Sequence, residues 1–291
     1  MQSHFAINAA TYLLLVLAGG ISLSLPRTLP VAGASGPAGE PDFLLVRGVV
    51  RDFNADHPDF NVVPGNGYGH YCGNIDTTLG EDGKPVFVGG GFRVAREWRD
   101  SKSRHIAWCM HDASRGDNEG NGQKGEDNGA ITSAETFAQW FRDVPGVNQS
   151  TIADITMTRG SDGIYRFATN NFFPIDDTLL GDEGDEHNYH FTFELVAEFV
   201  YDAGEGQVLR FMGDDDIWVF IDGRLVIDLG GVAGNTDQFI DLNRLGLEDG
   251  KTYRMHFFHA ERHQPKSQWR FATNILLDTD RFIPSITSQF D

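Results

Sequence analysis

The stretch IWVFIDGRLVIDL, residues 217–229, constrains the fold of this chain more than any other. Two apolar, β-branched runs flank Asp222-Gly223, a pair that accepts the positive backbone angles of a two-residue hairpin turn. The chain must double back there as two antiparallel strands. Similar alternating segments recur from residue 150 onward: STIADITMTR, GIYRFAT, HFTFELVAEFVY, QVLRFMG, TYRMHFFHAER and SQWRFATNILL. Turn signals such as Ser161-Asp162-Gly163 and Glu248-Asp249-Gly250 separate several of them. Upstream, FLLVRGVVRDF (43–53) and KPVFVGGGF (84–92) also read as strands. Only SAETFAQWFRDV (133–144) has helical spacing, with Ser133 as N-cap and Phe137, Trp140, Phe141 and Val144 as a buried stripe. The expected fold is all-β, an antiparallel β-sandwich with one flanking helix and long loops.

A hydrophobic content of 40%, with 22 Phe and 5 Trp, is enough to fill such a core. The formal net charge of -19 argues against nucleic acid and against an anionic membrane surface as partners. It suits a secreted protein that meets cations, neutral sugars or basic partners. The apolar stretch from Ala9 to Leu25, followed by Ala32-Gly33-Ala34, reads as a signal peptide over 1–34, with a membrane anchor as the alternative. Residues 35–42 then form a linker and 281–291 a tail. In an oxidising compartment the two cysteines, Cys72 and Cys109, read as one disulfide, and two free buried thiols are the alternative.

The chemistry is concentrated just ahead of the hairpin. Asp214, Asp215 and Asp216 are consecutive, and like charges at contact repel by about 1 kcal/mol per pair even in water. A cation, a catalytic proton or solvent exposure must relieve that repulsion. The triplet follows one strand and begins the next, so it caps one end of the sandwich, where Ca²⁺ could gather oxygen ligands. Other chemistries find little support. There is no nucleophile elbow, zincin helix, phosphate loop or dinucleotide fingerprint. His187, His190, His256, His259 and His263 do not form a zinc pattern, since a strand sends His256 and His259 to opposite faces. The segment 114–130 copies part of an EF-hand loop through Asp117, Glu119, Asn121 and Gly122, but Asn128 stands at its closing position.

The runs FMGDDDIWVFIDGRLVIDLGGV, LGLEDGKTYRMHFFHAER and SQWRFATNI together resemble the fibro-slime domain family. The resemblance extends upstream through HNYHFTFEL, FATNNFFPIDD, FAQWFRDVPGVN and RDFNADHPDF, giving a domain over 43–280. Fibro-slime domains look like relatives of the PA-fourteen β-sandwich, whose adhesins bind glycans through Ca²⁺. The resemblance implies a metal-binding pair on Asp214 and Asp215, often joined by a cis peptide, with Asp216 replacing a glycine of many relatives and either joining them as a third metal ligand or hindering close ligand approach. It also implies a second ligand or sugar-contact loop at 261–268, here with Glu261, His263, Gln264 and Ser267 but without the adhesins' Asn. The function so implied is a secreted or surface Ca²⁺-dependent carbohydrate-binding or adhesion module, with an extracellular polysaccharide or glycan and surface or matrix proteins as partners. A matrix or slime component with purely structural Ca²⁺ is the alternative. No catalytic residue is assigned, and a glycosidase pairing Asp215 with Glu261 is the third reading.

Overall fold

The computed structural model describes residues 39–124, 128–234 and 236–282. The expected signal peptide, most of the linker and most of the C-terminal tail lie outside them. Residues 41 onward form one compact unit. Its framework is β1 (Phe43–Phe53), β5 (Asn148–Arg159), β6 (Tyr165–Thr169), β7 (Phe191–Val200), β8 (Val208–Gly213), β9 (Asp216–Ile221), β10 (Arg224–Leu229), β11 (Thr236–Asp241), β12 (Thr252–Glu261) and β13 (Trp269–Thr273). These pair in the order β10-β9-β12-β7-β1-β5-β6-β13-β8-β11. All the pairings are antiparallel. A separate small sheet joins β2 (Tyr71–Cys72), β3 (Phe92–Arg96) and β4 (Asn121–Lys124).

The long sheet folds over where β5 meets β6, because only Thr158–Arg166 and Arg159–Tyr165 pair there. The two halves then face each other through aromatic side chains. Phe257 of β12 lies 5.0 Å from Phe211 of β8 and 5.3 Å from Trp269 of β13, and Phe193 of β7 lies 5.4 Å from Trp269. Each such buried ring contributes about 1.5–3 kcal/mol over its exposed state. Gln238 of β11 ties the two ends of the sheet together. It accepts from the Asp228 amide at 2.8 Å and donates to the Asp228 carbonyl at 3.0 Å.

The hairpin forms as its sequence requires. Asp222 and Gly223 have φ of 53° and 73°, and Ile221 pairs with Arg224 across the turn. Every residue of β9 is buried, so this strand has a second covered face. There Trp218, Phe220, Leu225 and Phe258 pack against Ile75, Phe137, Trp140 and Phe141.

Two local expectations need correction. The helix α1 runs only from Ala134 to Phe137, with Ser133 and Thr136 closing a capping box. Beyond it the backbone tightens into i→i+3 bonds, such as Trp140 to Phe137. Asn148 captures the carbonyls of Gln139 and Arg142, and Thr192 captures that of Trp140, so the helical ladder cannot continue. Residues 84–91 form no strand either, since Phe87 makes only an isolated bridge to Ile75.

Candidate functional site

The chain crosses between the two halves of the sandwich at Asp214 and Asp215, between the end of β8 and the start of β9. Gly213 is needed at the approach, since a Cβ there would lie 2.7 Å from the Gln268 carbonyl. The Asp214–Asp215 peptide is cis, as the resemblance implies. The backbone is held from both sides: the Asp214 amide donates to Gln268 O and the Asp215 amide to Ala260 O, each at 3.3 Å. The 261–268 loop therefore does reach the triple Asp.

The three carboxylates have different surroundings. One oxygen of Asp214 accepts from the Gln268 amide at 2.6 Å, and one of Asp215 accepts from the Arg262 amide at 2.9 Å. Both Asp216 oxygens are taken, one by the Gly231 amide at 2.6 Å and one by Arg262 Nε at 2.6 Å. Asp216 thus turns inward and anchors the corner, leaving Asp214 and Asp215 as the outward pair. Arg262 also donates to the carbonyls of Asp59, Gly129 and Ala130, and its guanidinium lies 4.9 Å from the Trp140 ring centre.

Glu261 completes the cluster. It is fully buried, and neither carboxylate oxygen has a hydrogen-bond partner. Burial, then the charges of Asp215 and Asp214, push its carboxyl well above the usual range. The Ser267 hydroxyl and the His263 amide lie near enough to ease that charge, yet neither meets hydrogen-bond geometry. Burial likewise raises Asp215 strongly, against the opposing charge of Arg262, and brings Asp214 to about 6. Beneath them His259 Nε2 donates to the Asp214 carbonyl at 3.0 Å.

The oxygen ligands gathered here are of the kind a hard cation takes. A fully buried carboxylate with no partner, beside two others with free oxygens, is a costly arrangement that a divalent ion would relieve. Among the described residues no three His, Cys, Asp or Glu side chains stand as a ready-made cage. The remaining ligands would therefore be carbonyl, water or sugar oxygens.

The other predicted residues divide. Ser267 lies buried beside Glu261. His263 and Gln264 form an outer rim, with His263 Nε2 3.0 Å from Tyr68 OH and Gln264 Nε2 donating to Asp185 at 2.5 Å. The expected Cys72–Cys109 disulfide is absent, and both residues are free thiols. Cys72 is packed in the core, while the Cys109 thiol turns to donate to the Leu225 carbonyl at 3.4 Å. In the EF-hand-like segment, Asp117 is held by Arg244 and the Asp112 amide, and residues 121–124 are the strand β4.

Sequence reasoning missed Asp228. It is fully buried and accepts from the indoles of Trp108 at 2.8 Å and Trp218 at 3.1 Å, and from the Gly73 amide at 2.9 Å. Its only sequence signal is a carboxylate inside the apolar run LVIDL.

Residues 167–278, which contain the crossing and the 261–268 loop, match the PA14 domain. The chain is 31% identical to Protein psiD of Dictyostelium discoideum over 245 residues, covering 81% of this chain and 42% of psiD. The chain belongs to a PA14-related family. A second relative, Protein psiQ of the same organism, is 38% identical over 167 residues, covering 52% of this chain and 17% of psiQ. The chain thus spans less than half the length of either relative. A crystal structure of a GH31 alpha-xylosidase from Xanthomonas citri superposes with a TM-score of 0.23 at 8% identity, covering 84% of this chain and 26% of that one.

Proposed function

We propose that the chain is a Ca²⁺-dependent carbohydrate-binding module of the adhesion type. At family level the PA14 match supports an extracellular or cell-surface carbohydrate-binding module. Among the described residues no helix is long and apolar enough to cross a membrane. The metal dependence rests on one observation, the partnerless buried carboxylate of Glu261 beside Asp214 and Asp215. In this reading the side-chain oxygens of Asp214, Asp215 and Glu261, which do not stand as a ready-made cage, draw together around Ca²⁺ when it binds. When bound, the ion supplies open coordination positions for neighbouring sugar hydroxyls. His263 and Gln264 line the approach from the loop side, with Ser267 buried behind them beside Glu261.

The alternative of a purely structural ion is less well supported. The Arg262–Asp216 pair and the Gln268–Asp214 bond already fix this end of the sandwich without any metal. A glycan array with and without chelator tests the proposal. Binding to a defined glycan set that disappears in chelator supports it. Chelator-insensitive binding or no binding overturns it, and turnover of a bound polysaccharide would favour the glycosidase alternative.

A further inference from the structure

The outer face of the short half of the sandwich, formed by β6, β13, β8 and β11, carries a concentration of arginine that the metal end does not use. On β6 the outward residues are Arg166 and Ala168, on β13 Arg270 and Ala272, on β8 Arg210 and Met212, and on β11 Asp237 and Phe239. The register lines them up across strands: Arg166 faces Ala272, Ala272 faces Arg210, and Arg210 faces Phe239.

Two cavities open on this face and share Arg210. One, of about 440 Å³, is lined by Arg99, Arg104, His105, Arg210, Asp237 and Phe239 among others. The other, of about 180 Å³, is lined by Arg166, Ala168, Arg210, Met212, Arg270 and Ala272 among others. In a chain of net charge -19 with 23 basic residues in all, five arginines on one face are a marked local reversal of sign.

The partners of these arginines leave charge over. Arg166, Arg210 and Arg104 meet Asp162, Asp237 and Asp100. Arg270 instead donates to the amide oxygens of Asn170 and Gln268, at 2.7 and 3.4 Å, and Arg99 to the Ser103 carbonyl at 3.2 Å. Neutral oxygens satisfy their N–H groups without cancelling their charge. The guanidinium fork suits planar, bidentate pairing with a carboxylate or a sulfate.

We propose that this face binds a linear anionic polysaccharide whose carboxylate or sulfate groups pair first with Arg99 and Arg270, which donate to neutral oxygens, and run beside Arg210 and Arg166. Three interstrand steps of about 4.8 Å give the face a width of about 14 Å, enough for several sugar units. Ala168 and Ala272 keep the floor low between the arginines, so a flat sugar ring can approach them. Nucleic acid fits less well, because base stacking needs open aromatic rings. Here Phe239 is covered by Arg104, whose guanidinium lies 3.7 Å from the ring centre. The site uses none of the proposed metal ligands, although Arg270 borders the metal end through Gln268.

The test is binding of the full chain, in chelator, to immobilised polygalacturonate, dextran sulfate, neutral dextran and single-stranded DNA. The first two arms distinguish carboxylate from sulfate. Salt-sensitive binding to at least one of them, with none to neutral dextran and less to DNA, is the expected result. Arg210→Ser, at a half-exposed position in both cavities, should weaken it roughly tenfold or more. Arg210→Lys should recover only part, since it keeps the charge but loses the fork. Unchanged melting temperatures would show that both variants fold. Failure to bind either acidic polymer, equal binding to DNA, or an unaffected Arg210→Ser variant would overturn the proposal. Because every arm contains chelator, failure of the Ca²⁺ reading leaves this result unchanged.

Discussion

Arg262 and Asp216 meet in an ion pair of 2.6 Å that is closed off from solvent on both sides. It lies directly behind the carboxylates of Asp214 and Asp215 and joins β9 to the loop carrying Gly129 and Ala130. One of three adjacent like charges is thereby neutralised internally, and the corner can present the other two.

Removing one member of such a pair leaves the other buried and uncompensated, at a cost of about 3–5 kcal/mol. Arg262→Ala should show a loss of that size in urea unfolding, because three backbone carbonyls lose their donor along with Asp216. Asp216→Asn should lose less, since Arg262 keeps those carbonyls. Equal losses would mean that the charge pair, and not the bracing of the loop, dominates.

Asp228 sets a second prediction. Its oxygens accept from two indole N–H groups and a backbone amide. In Asp228→Asn an amide NH₂ must face one of those donors, leaving it unsatisfied at about 1–3 kcal/mol. The lowered unfolding midpoint should be accompanied by changed tryptophan emission in the folded state, as Trp108 or Trp218 loses its partner.

His256 predicts a pH dependence. Burial holds its imidazole down at about 4, against 6.5 in the unfolded chain. The folded state therefore refuses a proton that the unfolded state accepts. The resulting loss of stability is absent above pH 6.5, grows as pH falls from there toward 4, and then levels off. Between pH about 7 and about 5 the unfolding midpoint of the native chain should fall more than that of His256→Phe. Parallel curves would refute the assignment.

How far the sequence reveals this protein depends on the range of the interaction. The hairpin at Asp222-Gly223 is local turn chemistry, and the strands after residue 150 follow from period-two patterning, so both are legible. The convergence of Asp214, Asp215 and the 261–268 loop was legible only through family resemblance. Asp216 could not be told apart from its neighbours, because its partner Arg262 lies 46 residues away. The short helix was hidden for the same reason: Thr192, 52 residues on, takes the carbonyl that the helix would have used. The cysteine pair had the right count and compartment logic, but tertiary packing aimed the Cys109 thiol at Leu225.

The central claim is that Asp214, Asp215 and Glu261 form a Ca²⁺ site while Asp216 does not. Calorimetric titration of Ca²⁺ into the chelator-treated chain tests it most directly. The account predicts saturable binding that Asp215→Asn and Glu261→Gln abolish or nearly abolish, and that Asp216→Asn retains at a temperature where it is folded. Absence of saturable binding in the native chain, or undiminished binding by Asp215→Asn, would contradict it.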